Sequence, residues 1–138
     1  MTEPAEQFAA RAEKMVGAPF RLHGRDPATG VDCVGLVACA LEEAGIFASA
    51  PRNYALRNLD ISSLLGAASL SGFCETAGQF VRGDLLLVRP GPAQHHLVIA
   101  LGGDRLVHAH ASLRRVVIQQ GLSDLELLKH WRLARSAG

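Results

Sequence analysis

Cysteine and histidine are the residue types in this chain that are best suited to catalysis, and one cysteine stands in a favourable position. Cys33 follows a Gly-Val-Asp segment and occupies the first position of a predicted helix. A thiol there lies near the positive end of the helix dipole, which lowers its pKa. The free N–H groups of that turn can stabilise an oxyanion. Cys33 is therefore a candidate nucleophile, although a cysteine can also serve only as a small buried hydrophobic residue.

A thiol nucleophile needs a base, and four of the six histidines fall in two neighbouring predicted strands. Strand alternation puts His96 on the opposite face from His95, whereas His108 and His110 share a face. A Gly-Gly-Asp turn between the strands allows His96 to meet His108 across the hairpin. One imidazole could then fix the tautomer of the other. A single strand histidine can equally be structural, but four within sixteen positions weaken that interpretation.

The same histidines permit a second interpretation. A His-x-His pair beside a His-His pair is compatible with zinc binding. However, no carboxylate or cysteine completes such a site locally, and Cys39 and Cys74 form no Cys-x-x-Cys pair. We therefore expect no metal and no cofactor, and we expect Cys39 and Cys74 to be structural.

The first half of the chain has the sequence pattern of helices. Apolar residues recur at helical spacing up to Gly17, and Pro4 suits a first turn. Asp32 is a good N-cap for the second helix, which is almost wholly apolar and is predicted to be the buried central helix. The predicted helices cover residues 4–16, 33–44 and 60–70, and the predicted loops cover residues 17–32 and 46–58.

From Gly83 onward the sequence has the pattern of strands. Short runs rich in Val, Leu and Ile are separated by turn residues, which indicates hairpin-linked antiparallel strands. The predicted strands cover residues 84–89, 95–101, 105–110 and 114–119, with a last one over 131–135. A capping box at residues 123–126 predicts a short helix before that last strand. Helices followed by strands indicate an α+β fold, with N-terminal helices packed on a C-terminal antiparallel sheet.

Length and composition limit the class of protein. The 138 residues are enough for one domain, predicted to cover residues 1–138, and 49% apolar against 20% charged residues excludes wholesale disorder. A net charge of +1 argues against a nucleic-acid partner. The sequence has no apolar run of membrane-spanning length. Its first residues lack the pattern of a secretory signal, so we expect synthesis in the cytoplasm without a signal peptide.

Three segments together resemble the NlpC superfamily of papain-like cell-wall cysteine peptidases. Residues 19–24 and 32–35 are similar to the family's Tyr- and Gly-rich loop and its Asp-Cys-Ser-Gly motif. Residues 82–86 and 96–102 are similar to its Gly-Asp strand and its His-Val-Gly-Ile-Tyr-x-Gly strand. Residues 106–109 are similar to its Ile-His-Ala strand. The order and spacing of these segments match over residues 8–120, so the resemblance implies a papain-like fold.

The resemblance also implies roles for three residues. Cys33 falls at the nucleophile, His96 at the general base and His108 at the polar third member of a catalytic triad. The implied reaction is hydrolysis of peptide bonds in peptidoglycan stem peptides, often the bond between D-glutamate and diaminopimelate. The Cys33 thiolate would attack the carbonyl, and water would later hydrolyse the thioester.

Substrate contacts are predicted around the nucleophile. Phe20 stands where many members of the family carry a Tyr whose hydroxyl lies near the scissile carbonyl. That contact is then absent or supplied by another residue, for which His23 is a candidate. Asp32 beside the nucleophile and Arg52 in the connector are further candidates, since an arginine can pair with carboxylates of an acidic stem peptide. Val34 also departs from the family pattern, which has Ser after the nucleophile.

The resemblance extends to a biological setting, and alternatives remain. A bare catalytic domain of this kind resembles the phage-tail and gene-transfer-particle branch, in which a hydrolase is carried by tail structural proteins to the cell wall. One alternative is a catalytically silent structural component of a tail tip. Another is a papain-like acyltransferase or thioesterase that acts on lipid substrates.

Overall fold

A computed structural model describes residues 3–49, 61–90, 95–122 and 125–134. The described residues form three α-helices, and none of them is long and apolar enough to cross a membrane. The helices are α1 (Pro4–Lys14), α2 (Cys33–Glu43) and α3 (Ile61–Leu70). The strands are β1 (Arg25–Asp26), β2 (Gly30–Val31), β3 (Phe73–Glu75), β4 (Leu85–Arg89), β5 (His96–Gly102), β6 (Arg105–His110), β7 (Arg115–Gln120) and β8 (Glu126–Leu133).

Six of the strands form one antiparallel sheet in the order β3-β8-β4-β5-β6-β7. The remaining two, β1 and β2, form a small hairpin just before α2. Strands β4 to β7 follow one another in the chain and in the sheet, as short hairpin connections require. The expected α+β architecture, with helices first and an antiparallel sheet second, is confirmed.

The sheet has an apolar core on each face. On one face, α1 and α2 contribute Phe8 and Leu36 to a cluster that includes Leu87, Ile99 and other alternate strand residues. Every residue of α2 from Cys33 to Leu41 is buried, so the prediction of a buried central helix is correct. The opposite face has a smaller core, formed by the intervening strand residues and covered partly by Phe80, Leu122 and Leu125. Alternate residues of β4 to β6 therefore face different cores.

A buried carboxylate joins β4 to β8. Asp84 is 0% exposed, and its Oδ2 lies 2.6 Å from His130 Nε2 and accepts the Val81 N–H at 2.9 Å. Arg132 donates from Nε to Oδ1 at 2.8 Å and from Nη2 to Oδ2 at 2.9 Å. Burial opposes ionisation, but these hydrogen bonds from Arg132, His130 and Val81 outweigh it and lower the pKa of Asp84.

The structure differs from the predicted elements at three places. The capping box at residues 123–126 does not open a helix, because Glu126 already begins β8. Strand β8 pairs with β4 on one side and β3 on the other, and this pairing satisfies its backbone better than one isolated helical turn. The predicted loop 17–32 contains β1 and β2, and β3 was not predicted. Most of the predicted connector 46–58 lies outside the described residues.

Candidate active site

The N-terminus of α2 is held in place by its capping residue. Asp32 is 1% exposed, and its Oδ1 accepts the Gly35 N–H at 2.8 Å, as the N-cap prediction requires. Its Oδ2 accepts the backbone N–H of His23 at 2.8 Å, and Arg25 Nη1 lies 3.3 Å from Oδ1. One carboxylate thus fixes both the start of the helix and the preceding loop. Cys33 follows directly at the first helical position.

Two glycines allow the loop to lie directly against this helix. A Cβ at Gly35 would overlap the carbonyl oxygen of Gly24, and a Cβ at Gly24 would overlap the carbonyl oxygen of Gly30. Neither position has space for a side chain. About one turn after Gly35 in α2, the Cys39 thiol donates to the Arg25 carbonyl at 2.8 Å. Cys39 therefore has the structural role that the sequence predicted.

The Cys33 thiol is buried and surrounded by backbone donors. Its side chain belongs to the main core, the residue is 6% exposed, and the N–H groups of Leu97, Val34 and Cys33 itself act on the sulfur. These donors favour the thiolate, but burial outweighs them and raises the pKa of the thiol to about 12. The expectation that the helix terminus lowers this pKa is therefore wrong for the free protein. Desolvation dominates because the thiol has almost no contact with water.

The thiol reaches the sheet where two strands separate. Strand β5 pairs with β6 only from Ile99 to Gly102, and His96, Leu97 and Val98 precede that ladder. Ala100 exchanges backbone hydrogen bonds with Gly83 and Asp84 on the β4 side. Since these directions alternate along a strand, the Leu97 N–H points to the β6 side, where β6 no longer pairs with it. This N–H acts on the Cys33 sulfur and favours its thiolate, so the thiol lies near the residue that follows His96.

His96 and His108 meet as predicted. His96 Nε2 lies 2.8 Å from His108 Nδ1, and the rings cross at 79° with centroids 4.9 Å apart. Burial, with a smaller effect of His108 and His110, lowers the pKa of His96 to about 3. Burial also lowers the pKa of His108. Both rings are therefore neutral at physiological pH, and a neutral imidazole can accept a proton from a thiol.

The neighbouring histidines are placed differently. The His110 ring centroid lies 5.4 Å from that of His108, on the shared face that alternation predicts. His95 has a buried Nδ1 without a hydrogen-bond partner among the described residues. Within the described ranges it forms no imidazole pair comparable to that of His96 with His108. In the described part of the chain, no group of three or more His, Cys, Asp or Glu side chains is arranged to hold a metal ion.

Of the predicted substrate contacts, the structure brings Phe20, His23 and Asp32 to the loop before Cys33. Phe20 packs against the main core, and its N–H donates to the Arg114 carbonyl at 2.9 Å. His23 is exposed and has a φ of 63°, a left-handed conformation that is uncommon outside glycine. Arg52 lies outside the described residues. Whether any of these residues contacts a substrate stays a prediction.

Sequence analysis missed one residue of this cluster. Gln119 Oε1 lies 3.0 Å from His108 Nε2, so it extends the pair of imidazoles by a third side chain. The available signal was strand register, because a turn at residues 111–114 pairs His108 with Val117 and puts Gln119 on the same face. Together these groups provide a thiol near the backbone of Leu97, a neutral imidazole on the residue before it, and partners that orient that imidazole. Such a set is suited to nucleophilic attack on a carbonyl.

Comparison with known proteins gives a family match and several fold matches. The family model of the NlpC/P60 family matches residues 17–132. The sequence matches no curated protein closely enough to count as a relative. The fold is similar to that of NlpC2 from Trichomonas vaginalis, with a TM-score of 0.72 and 18% identity. That similarity covers 99% of this chain but only 48% of that protein, so this chain spans about half its length.

Two proteins described as peptidoglycan hydrolases share the fold. The NlpC/p60 domain of the peptidoglycan hydrolase SagA has a TM-score of 0.62 and 23% identity, covering 94% of this chain and 97% of that domain. The peptidoglycan hydrolase RipB from Mycobacterium tuberculosis has a TM-score of 0.66 and 22% identity, covering 96% of this chain and 65% of that protein. At these identities the likeness establishes the fold.

Proposed function

The chain belongs to the NlpC/P60 family, and on that premise we propose that it is a cysteine peptidase that hydrolyses peptide bonds in peptidoglycan. The observation that carries the proposal is the 2.8 Å contact between His96 and His108, with the Cys33 thiol beside the same end of β5. An imidazole base that is oriented by a partner and placed next to a thiol can activate that thiol as the nucleophile in acyl transfer. The printed descriptions of SagA and RipB as peptidoglycan hydrolases support the substrate class.

The proposed reaction starts from a neutral thiol and a neutral imidazole. As Cys33 Sγ attacks the scissile carbonyl, His96 accepts the thiol proton and then returns it to the leaving amine. The first-turn N–H groups of α2 donate to the oxyanion. Water, deprotonated by His96, then attacks the thioester, and the thiol is released with its proton restored. His108 holds the His96 ring throughout.

Two finer proposals rest on the family resemblance. The first is that the scissile bond joins D-glutamate to diaminopimelate. The second is that the protein is made in the cytoplasm and works in a phage-tail or gene-transfer particle, bound to tail structural proteins. Defined stem peptides with diaminopimelate or lysine at the third position test the bond. Antibody detection in purified particles tests the setting.

The principal experiment is digestion of purified sacculi by the wild-type chain and by single variants. We expect Cys33→Ala and His96→Ala each to reduce the rate of muropeptide release at least about 1000-fold, since each removes a reacting group. His95→Ala is the matched control, because it removes the adjacent imidazole, and it should stay within about threefold of wild type.

Other outcomes separate the alternatives. Sacculi that stay intact while lipid acyl esters are cleaved in a Cys33-dependent way would favour the acyltransferase or thioesterase. Particles that assemble normally but lose lytic activity with Cys33→Ala would exclude a purely structural role. If His95→Ala and His96→Ala reduced the rate of muropeptide release equally, the assignment of His96 as the base would be contradicted.

A further inference from the structure

A hydrogen-bonded chain continues beyond the two imidazoles. His108 Nε2 lies 3.0 Å from Gln119 Oε1, and Gln119 Nε2 donates to the Gly121 carbonyl at 2.9 Å. We propose that Gln119 is a positioning residue, which sets the tautomer of His108 and, through it, the tautomer of His96. The catalytic meaning of this role rests on the proposed function, whereas the tautomers themselves do not.

The donor and acceptor at each step of this hydrogen-bonded chain can be assigned from the chemistry of the groups. A backbone carbonyl can only accept, so the amide nitrogen of Gln119 faces Gly121 and its oxygen faces His108. That oxygen can also only accept, so the proton of His108 is on Nε2. The Nδ1 of a neutral His108 then carries a lone pair, and His96 must donate to it from Nε2. The Nδ1 of His96 is left unprotonated.

This polarity matters because both rings are neutral. Without an acceptor at position 119, the pair His96–His108 could run in the reverse sense, with His108 donating from Nδ1 to His96 Nε2. His96 would then carry its proton on Nδ1. A ring nitrogen that already has a proton cannot take one from Cys33. Gln119 therefore selects the tautomer in which His96 can act as a base through Nδ1.

The Gly121 carbonyl, which ends this hydrogen-bonded chain, is itself held in place. The register of β6 and β7 pairs Leu106 with Gln119, so Gln119 lies diagonally across from His108 on one face. Gly121 has a φ of 68°, which turns its carbonyl back toward Gln119, and its N–H donates to the Asp104 carbonyl at 2.6 Å. Asp104 belongs to the turn between β5 and β6. Both hairpins thus fix the acceptor that orients Gln119.

The test is NMR of the histidine ring nitrogens in ¹⁵N-labelled protein, which distinguishes protonated from unprotonated nitrogens. In the wild type we expect His96 and His108 each to carry the proton on Nε2 only. Gln119→Leu removes the acceptor and should give His96 a population protonated on Nδ1. Gln119→Glu retains the acceptor and should keep the wild-type pattern. Gln120→Leu, at the exposed neighbouring position, is the matched control and should change nothing.

Kinetics on peptidoglycan fragments provides the second readout. Gln119→Leu should lower kcat about 10- to 100-fold with KM within about twofold, the range typical when an outer partner that fixes a histidine is removed. Gln119→Glu should recover most of that loss. A wild-type His96 protonated on Nδ1 would overturn the proposal even if the Leu variant failed to fold. So would a folded Gln119→Leu protein with wild-type ring signals.

The two proposals can fail separately. If the expected ring-nitrogen pattern is found but wild-type protein does not cleave peptidoglycan, the proposed function is wrong and the positioning role of Gln119 stands. If peptidoglycan is cleaved but Gln119→Leu leaves the ring signals and kcat unchanged, the function stands and the role of Gln119 is refuted.

Discussion

The protonation state of the free nucleophile is the prediction that most directly tests the energetics of this site. Burial raises the pKa of the Cys33 thiol from 9.0 to about 12. A difference of about three pH units corresponds to a thiolate population about 1000-fold smaller than that of an ordinary cysteine. At pH 7 only about one molecule in 100,000 would carry the thiolate. His96 is neutral at the same pH, so it provides no positive charge to offset the burial.

The assay is the rate of alkylation by iodoacetamide between pH 6 and pH 10, measured by mass spectrometry of the Cys33 peptide. Cys74 is exposed and serves as an internal reference in the same sample. We expect the Cys33 rate to increase about tenfold per pH unit without a plateau, because the thiolate fraction does. It should stay about 1000-fold below the rate of a freely exposed thiol up to about pH 8 and about 100-fold below it at pH 10, where the ordinary thiol is already ionised, and denaturation should remove the difference. His96→Ala should keep the same slope.

One result would refute this reasoning. A Cys33 rate that reaches a plateau below pH 7, and loses that plateau in His96→Ala, would show a thiolate–imidazolium pair in the resting protein. The backbone donors and the helix terminus would then outweigh desolvation. The proposed reaction would in that case begin from an ion pair instead of a neutral pair.

Two further predictions concern stability, measured by thermal denaturation. Asp84→Asn should cost about 3–5 kcal/mol, or about 10–15 °C, because it leaves the partners of a buried carboxylate poorly matched. Since folding lowers the pKa of Asp84, its ionic contribution is present above the unfolded pKa and is lost as the pH falls through the folded pKa. The wild type should therefore lose stability below about pH 4 more steeply than Asp84→Asn does; parallel curves would contradict this. Gly35→Ala should cost about 1–3 kcal/mol because its methyl group would overlap the Gly24 carbonyl. Gly66→Ala, a helical position with open space around it, should instead stabilise by about 0.5–1 kcal/mol, and equal effects at the two glycines would refute the packing argument.

Local sequence signals predicted the parts of the fold that local interactions determine. The N-cap Asp32 marked the start of α2, and the spacing across a short turn brought His96 to His108. Only the end of strand β8 was predicted, because its start has the sequence of a capping box and only pairing with β3 and β4 makes that segment extended. This pairing involves residues far apart in the chain, which sequence periodicity does not report.

The protonation state of the nucleophile was harder to predict from sequence than the identity of the main site residues. The position of Cys33 at a helix N-terminus favoured a low pKa, but the thiol is buried in the main core, and burial decides the direction. How completely a side chain loses water depends on elements that pack around it, here α2 and β5. Gln119 had no spacing signal of its own, since its role depends on the register of β6 against β7 and on the carbonyl of Gly121.

The orienting partners of His96 are close to it in sequence, and this has a consequence for the order of folding. His96, His108 and Gln119 lie in two successive hairpins, with separations of 12 and 11 residues. Cys33 joins them from some sixty residues upstream. Short-range contacts close with a smaller loss of chain entropy than long-range ones. We therefore expect the imidazoles to be arranged before the thiol docks, so that a partly folded or nascent chain has an ordered base but no paired nucleophile.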